Sequence, residues 1–231
     1  MMSQDLLMLP GLNCDARLWR DVVAGLGGRA RCSVAELRGP DSVAGMAAQA
    51  LAGAPPRFAL AALSMGGYVA LEIMRQAPER VTRLALLDTS ARADDTVRTQ
   101  ARLAAIRLVE EGKFGLVART LQPGLLAPQN LDSPTAKEVV AMAERAGAEA
   151  YLKHQKAIMA RIDSRPYLGA ITVPTLVGVG EADGVTPPEL AEEMAAAIAG
   201  AVLVRFAGCG HVPTMEAPDA VVAAMADWLA R

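Results

Sequence analysis

Leu60, Ala61, Ala62, Leu63, Ser64, Met65, Gly66 and Gly67 stand where one hydrophobic rhythm gives way to another. From Phe58 to Leu63 the run is continuously apolar, as in a strand buried on both faces. From Gly66 onward, Tyr68, Val69, Leu71, Ile73 and Met74 recur at helical spacing. Ser64 occupies the joint. A serine on so sharp a strand-to-helix turn is held at strained dihedrals, so its neighbours must be small and its hydroxyl is pushed above the sheet. Ala62 and Gly66 meet that demand. The pattern for such a nucleophile elbow is G-x-S-x-G, and here Ala62 replaces the first glycine with a residue that is still small but carries a methyl group.

Length and composition bound what the joint can belong to. At 231 residues and 52% hydrophobic, the chain suits one globular domain that buries roughly 70–75% of its unfolded surface. The net charge of −2, with Lys and Arg dispersed, argues against nucleic acid as a partner. Cys14, Cys32 and Cys209 are far apart and odd in number, and the only histidines are His154 and His211, so neither a disulfide framework nor a structural metal site is expected. The first residues, Met1 to Asp5, have no basic flank or long apolar core, and no run approaches a membrane span. These readings predict a cytoplasmic protein that does not act at a membrane.

Working outward from the joint, short apolar runs alternate with helical patterns, as in a parallel sheet covered on both faces. The strands are predicted at Leu6 to Leu9, Cys32 to Leu37, Phe58 to Leu63 and Val81 to Leu87, with helices between them. From Arg92 to Tyr167 the pattern is helical, with pieces over Arg98 to Glu111, Phe114 to Leu121 and Thr135 to Ile162, the last bent near Gly147. Strands resume at Val173 to Gly180 and Val202 to Phe206, separated by a helix opened by Pro187 and Pro188 and closed by a helix from Ala217 to Leu229. The expected architecture is a three-layer α/β fold with a mostly parallel sheet of about six strands. Its core spans residues 1–91 and 168–231, with a helical cap inserted over 92–167.

Two further motifs join the elbow. Gly180, Glu181, Ala182 and Asp183 end the fifth strand, and Gly208, Cys209, Gly210, His211, Val212 and Pro213 follow the last. With these, the order of parts resembles the α/β-hydrolase fold family over essentially the whole chain. It is similar to the small capped esterase-like members, among them carboxylesterases, enol-lactonases and acyl-carrier methyl ester esterases. Ser64, Asp183, His211 is the chain order these enzymes use. The sequence opens almost at once on the strand before Pro10, so the leading antiparallel hairpin of many relatives is not expected, and it has Pro10 and Gly11 where they have His and Gly.

The resemblance implies a serine hydrolase, and the chemistry explains the residue types. A serine hydroxyl is a poor nucleophile until a neutral imidazole takes its proton, the part expected of His211, so activity should fall in acid. A buried carboxylate, Asp183, would fix the imidazole tautomer and stabilise the imidazolium. The backbone N–H of Met65, at a helix N-terminus, would face the developing oxyanion, and the resemblance implies that Leu12 supplies the second donor. Competing assignments are Glu181 and Asp88 for the acid and His154 for the base. Asp88 is expected to be a structural or loop-capping carboxylate, and His154 a surface or cap-packing residue. Cys209, between two glycines, reads as packing. Gly178, Gly180 and Gly184 miss the dinucleotide spacing, so no cofactor is expected.

Few aromatics and many Leu, Ile, Val and Met in the cap lean toward aliphatic acyl groups and a permissive pocket for short or medium esters, with Met159, Val185 and Val212 expected to line it. An acyl-carrier-linked ester is a possible partner substrate. The cap arginines, Arg98, Arg102, Arg107, Arg119, Arg145 and Arg161, are expected mostly on solvated faces. Lactone opening or carbon–carbon bond cleavage by the same triad, and a slow-turnover ligand receptor, are the alternatives, because a fold does not dictate a reaction.

Overall fold

A computed structural model describes residues 4–231. Residues 1–3, part of the N-terminal stretch read above for a leader, lie outside the described residues. Six strands, β1 (Gln4–Leu9), β2 (Ala30–Val34), β3 (Phe58–Leu63), β4 (Val81–Leu87), β5 (Thr175–Gly180) and β6 (Val202–Phe206), pair in parallel in the order β2-β1-β3-β4-β5-β6. The chain moves outward from β1 to β2 and then returns past β1 to β3. The C-terminal ends of β1 and β3 therefore diverge into loops on opposite sides of a crevice, the usual place for a ligand in an open parallel sheet.

The core strands carry apolar side chains on both faces because helices cover both. Leu7, Leu9, Leu60, Ala62 and Val177 pack on one side beneath α2 (Val43–Gly53), α3 (Met65–Gln76) and α7 (Pro188–Ala197). The intervening residues Leu6, Met8, Ala61, Leu63 and Leu176 pack on the other beneath α1 (Arg20–Leu26) and α9 (Pro218–Leu229). This is the three-layer architecture expected from the continuous apolar runs.

Between β4 and β5 the chain is helical, as predicted: α4 (Thr96–Glu110), α5 (Phe114–Leu125) and α6 (Pro134–Met159). Asp95 and Ser133 accept the N–H groups of Arg98 and Ala136, capping α4 and α6. α6 breaks at Gly147, whose φ of 84° lies in the left-handed region that favours glycine. No helix among the described residues is long and apolar enough to cross a membrane.

The boundaries differ from expectation where tertiary contacts compete with local pattern. β2 stops at Val34 rather than Leu37, because after the Ala35 N–H bonds Met8 the chain leaves the sheet and offers the Leu37 carbonyl to His154. α5 runs past Leu121 to Leu125, with Pro123 in its final turn, so the i→i−4 hydrogen bond that Pro123 cannot make is forgone only at the helix end. The closing helix begins at Pro218, after a separate turn of helix, α8 (Pro213–Glu216).

Candidate active site

Ser64 has φ 56° and ψ −119°, a strained conformation imposed from three directions. Its N–H bonds the Leu87 carbonyl at 3.0 Å, its carbonyl accepts the Thr89 hydroxyl at 2.7 Å, and the first turn of α3 presses on the end of β1. A Cβ on Gly66 would lie 2.5 Å from the Leu9 carbonyl oxygen, so only glycine permits this approach. Ala62, by contrast, is fully buried among core residues with room for its methyl.

The histidine and acid loops converge on this serine. The Ser64 hydroxyl lies 2.8 Å from His211 Nε2, and His211 Nδ1 lies 2.8 Å from Asp183 Oδ2. His211 and Asp183 are each 3% exposed, which removes competing water from the bond between them. Asp183 sits in a turn that saturates it with donors: Oδ1 accepts the N–H groups of Val185 and Thr186, and Oδ2 accepts the Thr186 hydroxyl at 2.7 Å. Burial opposes its ionisation, yet His211 and Thr186 together hold its carboxyl below the usual range.

The competing residues take other places. Glu181 is exposed. Asp88 is fully buried at the end of β4 and accepts the Gly180 N–H at 2.8 Å, the structural part expected of it. His154 is 1% exposed and bonds the Leu37 carbonyl at 3.1 Å, so it packs α6 onto the core rather than facing solvent. Burial pushes the thiols of Cys14 and Cys209 each up to about 12, which leaves both protonated at neutral pH.

A cavity of about 480 Å³ opens over Ser64 and His211, with Gly11, Leu12 and Met65 on its floor and residues of α4, α5 and α6 on its walls. Val185 and Val212 line it. Met159 does not; after the break at Gly147 the face of α6 turned inward is Tyr151, Gln155 and Ile158, spaced i, i+4, i+7, and Met159, one residue and about 100° on from Ile158, falls outside it. Arg98 and Arg102 also reach the wall, and Arg102 and Arg161 are held on the buried Asp94 rather than solvated.

Two positioning groups escaped the motif reading. Thr186 lies three residues after Asp183 and closes the turn around it; the D-x-x-T spacing is its only signal. Glu216 accepts the N–H groups of Gly210 and Ala127 and the Asn130 amide, tying the histidine loop to the segment after α5. Nothing in its sequence context sets it apart from a surface glutamate.

Fold and site together define an ester-acting hydrolase of the α/β class. The chain belongs to the alpha/beta hydrolase family, whose profile matches residues 6–224. It is similar to a pimeloyl-[acyl-carrier protein] methyl ester esterase of Aliivibrio salmonicida, 27% identical over 94% of this chain and 88% of that one, and to one of Nitrosomonas europaea, 28% identical over 94% and 92%. Among solved structures it resembles a malate-bound thermophilic esterase from Thermogutta terrifontis, with TM-score 0.90, 28% identity and coverage of 99% of this chain and 90% of that one. An enol-lactonase from Burkholderia xenovorans shares the fold, with TM-score 0.90 at 22% identity over 100% and 93%.

Proposed function

We propose that the protein hydrolyses small and medium carboxylic esters through an acyl-enzyme on Ser64, with His211 as base and Asp183 as the carboxylate that orients it. The observation that carries this reading is the unbroken pair of 2.8 Å contacts from Asp183 through His211 to Ser64. Ser64 Oγ attacks the ester carbonyl as its proton passes to His211 Nε2. Collapse of the tetrahedral intermediate returns that proton to the leaving alkoxide, and water repeats the sequence to release the acid. The N–H groups of Met65 and Leu12 are assigned to the oxyanion, where one such donor is worth about 10²–10³ in rate. Residues 92–167 act as the cap and 1–91 with 168–231 as the core. Three free cysteines suit a reducing, cytoplasmic setting.

A panel of nitrophenyl esters tests the reading. Turnover of short and medium aliphatic esters is expected, with a fall of at least about 10³-fold in Ser64→Ala and covalent labelling of Ser64 by a fluorophosphonate. Turnover confined to bulky aromatic acyl groups, or untouched by Ser64→Ala, overturns it. A burst followed by almost no turnover marks a ligand receptor instead.

A second reading keeps the chemistry and changes the ester to an acyl-carrier-linked one. It is favoured by the likeness to the pimeloyl-[acyl-carrier protein] methyl ester esterases of Aliivibrio salmonicida and Nitrosomonas europaea and by the half-buried Arg98, whose guanidinium bonds only the Val185 carbonyl and has no carboxylate partner among the described residues. A higher kcat/KM for a carrier-bound methyl ester than for the same free ester would establish it.

A further inference from the structure

Among the mostly apolar residues that α4 and α6 turn to the cavity, Arg102, Tyr151 and Gln155 carry hydrogen-bond donors. Arg102 on α4 gives Nε to Asp94 and Nη1 to Gln155 Oε1 at 2.9 Å. That bond fixes the orientation of the Gln155 amide: its oxygen faces Arg102, so its NH₂ group points away from Arg102 as a donor. One turn away on α6, Tyr151 is fully buried and lines the same cavity, and its hydroxyl makes no hydrogen bond of ordinary length. Even a bond from the neighbouring amide would use the phenol oxygen as acceptor and leave its O–H to give. Burial pushes the phenol's pKa up, so it keeps that proton.

The charge balance has the same sign. Asp94 is shared by Arg102 and Arg161, two guanidinium groups on one carboxylate, and Arg98 adds a third arginine nearby. Among the described residues lining the cavity there is no Asp or Glu. A buried, unpaired hydroxyl is costly unless a bound group completes it, and three donors beside an excess positive charge are completed by an anionic acceptor with several lone pairs.

We infer that Arg102, Gln155 and Tyr151 form a carboxylate-binding subsite, and that the preferred substrate is an ester bearing a free carboxylate away from the scissile bond, such as the monoester of a dicarboxylic acid. The inference rests on the ester-hydrolase reading for its reaction and on the donor cluster for its substrate. Arg102 sets the charge, Gln155 holds Arg102 in place, and Tyr151 supplies the hydrogen bond that a neutral alkyl chain cannot use.

Two measurements separate the subsite from the reaction. In the first, kcat/KM is measured for monomethyl glutarate and monomethyl adipate and for neutral methyl esters of matched length, by product analysis. The wild type is expected to favour the carboxylate ester by tenfold or more, with that ratio falling at least fivefold in Tyr151→Phe and further in Arg102→Met. Tyr151→Phe keeps the ring and removes a hydroxyl that makes no hydrogen bond of ordinary length, so the fold is expected to persist, and a melt of the variant checks this. No preference in the wild type, or a variant that lowers both substrates alike, overturns the subsite. In the second, adipate binding to the Ser64→Ala protein is followed by calorimetry, with 1-hexanol as the neutral control. Binding that Tyr151→Phe weakens supports the subsite even if no ester is turned over, an outcome that would defeat the ester reading alone. Equal binding of adipate and hexanol defeats the subsite alone.

Discussion

Asp88 and Gly180 join β4 to β5 through a side chain: one carboxyl oxygen of Asp88 accepts the Gly180 N–H at 2.8 Å, while the other is buried and makes no hydrogen bond of ordinary length among the described residues. The acidic and basic members of the site lie close by, with ligand atoms of Asp88, Asp183 and His211 all within 4.8 Å of one another. Burial first, and the Asp183 charge second, push the Asp88 carboxyl well above the usual range. A raised carboxyl stabilises the fold fully below its unfolded value near about 3.9, and that contribution is lost as pH rises toward the folded value. Asp88→Asn keeps the acceptor for Gly180 and never ionises. The variant is therefore expected to gain on the wild type as pH rises from 5 to 8. Urea denaturation at both pH values checks this, and a difference independent of pH would refute it.

Asp183 has the opposite sign. Its carboxyl lies below the usual range, so the stability it contributes is present above about pH 4, and is lost as pH falls through its folded value. Thr186→Val removes the hydroxyl bonded to Oδ2 at 2.7 Å and keeps the shape. Hydrogen bonds to charged groups are worth about 1.5–3 kcal/mol, so kcat is expected to fall about tenfold or more and the acid unfolding midpoint to move up in pH. Steady-state kinetics and an acid titration followed by circular dichroism read the two effects separately.

How much could be read from the chain follows from where each constraint lies. The strand and helix around Ser64 are local patterns, and the acid and histidine follow strands whose apolar runs are continuous, so sheet, triad order and helical insertion were all legible. Glu216, Thr186 and the inward face of α6 were not, because each is defined by what it meets across the fold. Met159 and Ile158 are adjacent in sequence and equally apolar; only the packing of α6 decides which one faces the cavity. Arg102 likewise reads as a surface charge until Asp94 and Gln155 are placed beside it.

The elbow's two small positions carry different constraints. At Gly66 an added methyl would meet the backbone of Leu9 and Pro10 at 2.5 and 2.8 Å, and backbone cannot step aside as a side chain can. Gly66→Ala is expected to cost about 1–3 kcal/mol or more of stability and most of the activity, because relief must move either Ser64 or the loop bearing Leu12. Ala62→Gly restores the usual motif, yet removes a buried methyl near the C-terminal end of β3. A loss of about 1 kcal/mol with no gain in kcat is expected. Thermal melts and ester kinetics on both variants decide it, and a faster Ala62→Gly enzyme would make the methyl a functional brake.

Glu216 holds the His211 loop from below. Its two oxygens accept three donors, the backbone N–H groups of Gly210 and Ala127 and the Asn130 amide, each at 2.8 Å. The His211 N–H in turn bonds the Leu125 carbonyl at 2.9 Å, so the base is fastened to the end of α5 on one side and to Glu216 through Gly210 on the other. Glu216→Ala strands these donors in a half-buried place, at a cost of about 1–3 kcal/mol for each one left unsatisfied. Glu216→Gln has the same shape but an amide in place of one acceptor, and should lose less. If the carboxylate positions the base, kcat falls in the order wild type, Gln, Ala while KM for a short ester changes little. Equal kcat in all three, with stability alone reduced, would confine Glu216 to holding the fold.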